Sequence, residues 1–241
     1  MKKVLIIIPT FNEIDNIESL IRLIFSIHKN SHILVVDDNS PDKTSTLVKS
    51  LQIEFKENLF ILNRPVKEGL GKAYIDGFKW GLEKDYSYFI QMDADFSHDP
   101  KSLIDLYLSC SEKNNDLVIG SRYINGINVI NWPISRILLS YFASFYVRII
   151  IGMKVKDPTA GFVCYRRCVL ESLNLNDIKF IGYAFQIEMK FKAFNKKFKI
   201  KEIPIIFTDR EKGESKLTKG IISEAVWGVI WMKLQQILGK L

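Results

Sequence analysis

Cysteine is scarce in this chain: Cys110, Cys164 and Cys168 are the only three among 241 residues. So small and odd a number excludes a disulfide scaffold. No nearby histidine or further cysteine turns the four-residue spacing of Cys164 and Cys168 into a zinc site. Reduced thiols in a cytosolic setting are the expectation. Long hydrophobic runs are missing too. The N-terminal run 4–8 is too short for a signal-peptide core and no small-residue cleavage site follows it. No segment reaches the roughly 18–20 apolar residues expected of a spanning helix. Internal repeats, low-complexity linkers and dense Lys/Arg blocks are also lacking. The formal net charge is +7, but the basic residues are dispersed. Nucleic acid is therefore not expected as a partner, whereas phosphorylated substrates or an anionic membrane surface fit the charge.

What the chain does have is alternation. At this length, 47% hydrophobic content fills a sizeable core. Apolar runs at 4–8, 33–36, 59–62, 88–92 and 117–119 alternate with helix-period stretches at 14–27, 45–51, 70–82 and 101–108. That order predicts an α/β fold, a mostly parallel central sheet with helices on both faces. Polar residues recur wherever a predicted strand ends: 9–13, 37–40, the 93 and 95 pair, and 120–122. In open parallel sheets that edge is the binding crevice. Beyond residue 122 the pattern is less regular. An Ile-, Leu-, Phe- and Tyr-rich stretch covers 128–153, and a strand at 199–207 is interrupted by Pro204. A polar loop at 209–215 precedes an amphipathic helix at 221–241, with Ile222, Val226, Val229, Ile230, Leu234, Ile237 and Leu238 on one face.

The paired acids are the sharpest chemical signal. Asp93 and Asp95 follow an apolar strand and, two residues apart in extended backbone, point the same way. Two adjacent carboxylates repel and invite a cation. Hard oxygen ligands suit Mg2+ or Mn2+, which in turn suit a diphosphate. A solvated acidic turn opening a helix at Pro100 is the plain alternative. Asp37 and Asp38 form a second pair, one suited to capping a turn and the other to a ribose or base. Gly69, Gly71 and Lys72 open a helix without P-loop spacing; they fit either a phosphate or an ordinary strand-to-helix turn. Arg210, Lys212, Ser215 and Lys216 decorate a Gly-containing loop that suits a lid over a diphosphate, or a solvated basic loop. Glu188, inside a predicted helix, reads as solvent-facing.

Taken in order, PTFNE at 9–13, VVDDNSPDKT at 35–44, GLGKAY at 69–74, QMDADFSHDP at 91–100, GSRY at 120–123, DPTAGFVCYRR at 157–167, GYAFQIEM at 182–189 and DREKGESKL at 209–217 span almost the whole chain. The set resembles the family-2 glycosyltransferases of GT-A nucleotide-sugar fold. It looks most like their polyprenol-phosphate (dolichyl-phosphate) mannosyl/glucosyl transferase branch, in a form without C-terminal transmembrane helices. The resemblance implies three parts: a Rossmann-like donor and metal half at 1–122, an acceptor half with the lid loop at 123–217, and a C-terminal helix at 218–241. It implies that Pro9, Phe11, Glu13, Asp38, Lys72 and Lys216 bind the donor. Asp93 and Asp95 carry the metal, with Gln91 nearby. Arg122 and Arg210 complete the catalytic set, and Arg122, Arg136 and Ser140 receive the acceptor phosphate.

The implied reaction is inverting hexose transfer, with mannose from GDP-mannose, to a polyprenyl or dolichyl monophosphate. UDP-glucose as donor and a soluble glycan as acceptor are the alternatives. A phosphate monoester has a second pKa near ~6, so it is already largely an anion and needs no strong general base. Arg136, Ser140, Ser144 and Arg148 recur every four residues through an otherwise apolar stretch, as an isoprenoid-phosphate site would require. A buried core or dimer helix is the other reading. The implied location is cytoplasmic and peripheral on a membrane surface, with Trp227 and Trp231 suited to the interface. A membrane-anchoring partner protein is a further possibility.

Overall fold

The computed structural model describes residues 3–210 and 219–240. Seven strands form one sheet: β1 (Val4–Thr10), β2 (His32–Asp37), β3 (Leu59–Asn63), β4 (Tyr88–Gln91), β5 (Leu117–Ser121), β7 (Val163–Arg166) and β8 (Ile200–Pro204). Their order is β3-β2-β1-β4-β7-β5-β8. Every pairing is parallel except those of β7, which runs against both β4 and β5. The C-terminal ends of β1, β2, β4 and β5 therefore share one edge. Because β7 is reversed, the chain entering it, residues 157–162, arrives at that same edge. A two-stranded ribbon, β6 (Val129–Ile130) with β9 (Phe207–Thr208), flanks it.

Period-two alternation divides each strand between two apolar layers. Val4, Ile6 and Ile8 face a core with α1 (Ile14–Ile27), α2 (Thr44–Glu54) and α4 (Leu103–Ser111). Leu5 and Ile7 face the other core with α3 (Leu70–Leu82), α6 (Arg167–Ser172) and α7 (Tyr183–Asn195). Two longer helices, α5 (Ile134–Ile151) and α8 (Lys219–Ile237), lie against this second layer. The sheet continues across residue 122, since β7 and β8 join the strands of the first half.

The start of α3 shows how closely the layers approach. Gly69 has φ +101°, a left-handed conformation that favours glycine. A Cβ on Gly71 would sit 2.9 Å from the Phe180 carbonyl and from the Phe185 ring. The Gly71 N–H donates to the Ile181 carbonyl (2.8 Å). Contact between α3 and the segment entering α7 thus accounts for both glycines, without any phosphate.

Several elements differ from expectation. The 101–108 helix begins with a short 3-10 turn, Pro100–Ser102, capped by the Asp99 carboxylate. Pro204 ends β8 rather than interrupting it, and the chain resumes as β9. Helix α8 is not amphipathic in the expected sense. Val229 and Met232 are buried, while Val226, Leu234, Ile237 and Leu238 from the predicted apolar face are exposed. Apolar residues surround this helix, so the sequence pattern did not reveal which side would pack. Helix α5 is 18 residues and long and apolar enough, by length and composition alone, to cross a membrane. Arg136 and Arg148 break its apolar run in the sequence. It is not a buried core helix: Ile134, Leu138, Phe142, Phe145 and Ile149 are exposed. Cys110 and Cys164 are buried free thiols, and Cys168 is an exposed one.

Candidate active site

A cavity of about 370 Å3 opens at the strand-end edge. One end is polar, walled by Asp93, Asp95, His98, Arg122, Arg136 and Arg210. The other runs between α5, α7 and α8, where Leu139, Phe142, Val147, Ile187 and Val226 line it. The elements explain the polar end. β4 delivers the two aspartates, β5 delivers Arg122, α5 delivers Arg136, and the strand-like segment ending at Thr208 brings Arg210 back across.

Asp93 and Asp95 do share this end. The Asp95 carboxylate accepts the Ser97 N–H (3.1 Å) and lies 3.2 Å from Arg210 Nη2. Asp93 accepts a long bond from the Tyr74 hydroxyl (3.4 Å), and its side chain is 34% exposed, facing the cavity. Burial, with the Asp95 charge adding to it and His98 opposing, raises the Asp93 pKa. A carboxyl made reluctant to ionise beside a second one is a setting that a bound cation relieves. Among the described residues no three His, Cys, Asp or Glu side chains converge as a metal cage. Two carboxylates still fit a hard divalent ion, because Mg2+ commonly takes one or two carboxylates and draws its other oxygens from phosphate and water. Arg210 already places positive charge on Asp95.

Arg122 is locked from behind. Its Nε and Nη2 donate to the fully buried Asp157 carboxylate (2.7 and 2.6 Å), and Nη2 also donates to the Thr159 hydroxyl (2.8 Å). Burial works against the charge on Asp157, but the Arg122 charge and hydrogen bonds prevail and lower its pKa. Trp132 and Phe207 rings lie 5.6 Å from the guanidinium carbon. Arg136 donates through Nη1 to both Asp209 oxygens (2.8 Å each) and stacks on Trp132 at 4.2 Å. Ser140 accepts a bond from the Tyr123 hydroxyl (2.7 Å). The four-residue stripe on α5 therefore splits. Arg136 and Ser140 line this cavity, whereas Ser144 and Arg148 line another.

Four of the predicted donor residues, Pro9, Phe11, Glu13 and Asp38, lie at the β1 and β2 termini. Asp37 is the turn-capping member of its pair, accepting from the Thr10 hydroxyl (2.8 Å) and from the Ser40 N–H (2.9 Å) and hydroxyl (2.6 Å). Asp38 is ion-paired with Arg64, which also reaches Asp76 (2.7 Å) and Glu68 (2.6 Å). Burial raises the Asp38 pKa against the opposing pull of Arg64. Glu13 accepts from Asn16 Nδ2 (3.1 Å), and Lys67 sits 3.8 Å over the Phe11 ring. Pro9 pairs with Val36 in the β1 and β2 register. Lys72 stands on the first turn of α3, outside the lining of the large cavity. Gln91 is not among the residues lining the cavity. It is fully buried within β4, its Oε1 3.5 Å from the Tyr165 hydroxyl. Lys216, with Lys212 and Ser215, lies outside the described residues.

His98, within the 91–100 motif, is a site residue that its sequence position alone did not single out. Its ring is buried, stacks on Phe162 at 4.7 Å, and accepts the Asp93 N–H at Nδ1 (3.1 Å). That bond places any ring hydrogen of the neutral form on Nε2, 3.9 Å from the Asp93 carboxylate. Burial lowers the His98 pKa against the pull of Asp93 and Asp95. Trp132, Tyr183 and Gln186 also line the cavity, and Gln186 Nε2 is buried without a partner. Tyr183 and Gln186 fall within the 182–189 motif, whereas Trp132 lies outside every motif and is marked by its tertiary position. Glu188 corrects the solvent-facing expectation: it is fully buried and accepts the Lys179 and Phe180 N–H groups (2.9 and 3.1 Å).

A mostly parallel sheet with acids and arginines at one edge is the arrangement expected of a nucleotide-sugar transferase of GT-A type. The chain belongs to glycosyl transferase family 2, whose model matches residues 5–173. It is 42% identical over 233 residues to the polyprenol monophosphomannose synthase of Mycolicibacterium smegmatis, covering 95% of this chain and 88% of that one. It is 41% identical to the undecaprenyl-phosphate mannosyltransferase of Micrococcus luteus, covering 98% and 99%. Identity to the dolichol-phosphate mannosyltransferase of Pyrococcus furiosus is 38%; the match spans 92% of this chain and 61% of that longer protein. Among solved structures, glucosyl-3-phosphoglycerate synthase from Mycobacterium tuberculosis, with Mn2+, UDP-glucose and phosphoglyceric acid, superposes with TM-score 0.68. That match has 16% identity and covers 95% of this chain and 79% of that one. This likeness bears on the fold.

Proposed function

We propose that the protein transfers a hexose, mannose from GDP-mannose, to a polyprenyl monophosphate with inversion at the anomeric carbon. The observation that carries this reading is the two-natured cavity. Its polar end holds two acids and three arginines, and it continues without a break into an apolar cleft between α5, α7 and α8. A lipid phosphate has the matching shape and chemistry. The mannosyltransferase names of the relatives support the same substrate class.

In this reading Asp93 and Asp95 hold the divalent ion, which when bound neutralises charge on the donor diphosphate. Phe11, Glu13 and Asp38 hold the nucleoside, with Pro9 and Lys72 beside them. Arg210 leaves its ion pair with Asp95 for the diphosphate, joined by Lys216. Arg122, Arg136 and Ser140 orient the acceptor phosphate. An acceptor oxygen attacks the anomeric carbon as the bond to the diphosphate breaks, and the electron pair leaves with that diphosphate. Asp157 positions Arg122 and is not a base, since both its oxygens are taken up by the guanidinium.

The division of labour keeps 1–122 for donor and metal, 123–217 for acceptor and lid, and 218–241 for the last helix. The exposed apolar residues of α5 and the exposed Trp227 support a peripheral site on the cytoplasmic face of a membrane, with or without an anchoring partner. The test incubates the purified chain with Mg2+, a polyprenyl phosphate, and labelled GDP-mannose or UDP-glucose. Mannose label entering the organic phase is expected. Glucose label there moves the donor assignment, and no label in the organic phase from either donor, with label appearing in a soluble glycan supplied in a parallel reaction, overturns the lipid acceptor.

A further inference from the structure

A second, smaller cavity of about 100 Å3 lies on the opposite flank of α5, walled by Tyr123, Tyr141, Ser144, Phe145, Arg148 and Lys156. Ser144 and Arg148 stand about one helical turn apart on the same face. Ser144 is 2% exposed, and its Oγ has no hydrogen-bond partner. A buried hydroxyl left unpaired is costly, so the position favours a ligand that bonds to it. Lys156 Nζ donates to the Ile124 carbonyl (2.9 Å), which leaves two of its hydrogens. No ion pair forms at Arg148 or Lys156 among the described residues, and no carboxylate lines this notch. The Tyr123 hydroxyl is turned away to Ser140. Two cations and an unpaired hydroxyl around a small polar space suit a phosphate group.

The surroundings indicate where such a phosphate comes from. Ile134, Leu138, Phe145 and Ile149 form an outward ridge on α5, exposed by 75%, 50%, 49% and 62%. At a helical period, Leu139, Ala143 and Tyr146 fall on one flank of that ridge, toward the catalytic cleft. Tyr141, Ser144 and Arg148 fall on the other flank. An apolar ridge bordered by a cationic notch matches a lipid, with acyl chains against the ridge and an anionic headgroup beside it.

We propose that this notch binds the phosphate of an anionic lipid headgroup, a second contact with the bilayer separate from the catalytic cleft. The variant Arg148→Gln with Lys156→Gln tests it, against a charge-matched control, Lys56→Gln with Lys113→Gln, whose residues are exposed elsewhere. Flotation is measured with phosphatidylcholine vesicles with and without phosphatidylglycerol, after circular dichroism confirms folding. The notch variant loses phosphatidylglycerol-dependent flotation by roughly five-fold per charge removed, and the control keeps most of it. Inorganic phosphate is titrated in parallel, following backbone amide signals of 141–148. Shifts in the unaltered protein, absent in the notch variant, with flotation equal in both, would leave the phosphate site but move its ligand to the free ion and overturn the lipid assignment. Equal loss of flotation in both variants, or no response in either assay, overturns the site. Hexose transfer measured in detergent stays unchanged in the notch variant, so this result is independent of the catalytic reading.

Discussion

Single residues in this site are held in charge relationships that make their effects predictable. Asp93→Asn or Asp95→Asn lowers transfer on the order of a hundred-fold or more, since each removes charge that a cation requires. Asp93→Asn does not lower the melting temperature, because burial and the neighbouring acid already disfavour its charge, whereas Asp95→Asn also gives up the Arg210 ion pair; a large destabilisation by Asp93→Asn would make the pair structural. Arg122→Met is different. It strands the buried Asp157 charge and costs about 3–5 kcal/mol of stability in urea denaturation. Arg122→Met with Asp157→Asn recovers much of that loss, and simple additivity of the two would mean the pair is not coupled. Lys190 is a third case. It is fully buried, donating to the Ala160 carbonyl (2.7 Å) and the Gln186 carbonyl (3.1 Å). Burial lowers its pKa to about 7, against the pull of Asp157. The unfolded lysine keeps its proton to about 10.5, so between these values the unfolded chain binds more protons and stability rises with pH. The cost of burying the charge is fully present below about pH 7. Lysine 190 therefore adds a slope of up to about 1.4 kcal/mol per pH unit across that window. Denaturation at several pH values should show this part of the slope missing in Lys190→Met.

At the scale of elements, the helix starts and the reversed strand decide the geometry. Gly71 is required because α3 meets the segment before α7 backbone to backbone. Gly71→Ala forces a Cβ to within 2.9 Å of the Phe180 carbonyl and costs about 1–3 kcal/mol, read as a lower urea midpoint. An unchanged midpoint would show that α3 can shift freely. Strand β7 turns the sheet's open edge into a site, since its reversal brings Asp157 and Thr159 behind Arg122. Helices α5 and α8 contribute the apolar half of the cavity, and α5 leaves a row of large side chains outside it.

At the scale of the whole molecule, the aspartates proposed to hold a cation lie at the sheet edge and the two apolar layers lie elsewhere. Removing the ion with EDTA is therefore expected to abolish transfer while leaving the thermal midpoint nearly unchanged. A large fall in that midpoint would make the ion a structural part of the fold. The size and continuity of the sheet give the edge rigidity, with β1 to β5 and β7 pairing in one array. The site can then hold several charges in fixed positions that an isolated loop could not keep.

Much of this was legible in the chain itself. Apolar runs at period two and helical spacing between them set out the strands and most helices, because those signals are local and each element's burial follows from its own repeat. The acids after β2 and β4 and the arginine after β5 were visible for the same reason, as polar residues where apolar runs stop. Tertiary structure alone decided the rest. It made Asp37 a cap and tied Asp38 to Arg64, set Asp157 behind Arg122 across 35 positions and Asp209 on Arg136 across 73. It buried Glu188 and Lys190, and chose which side of α8 would pack. Arg64 for Asp38, Arg122 for Asp157, Asp209 for Arg136 and Ala160 for Lys190 are all far away in sequence, and a distant partner's charge or shape leaves no trace in the local pattern.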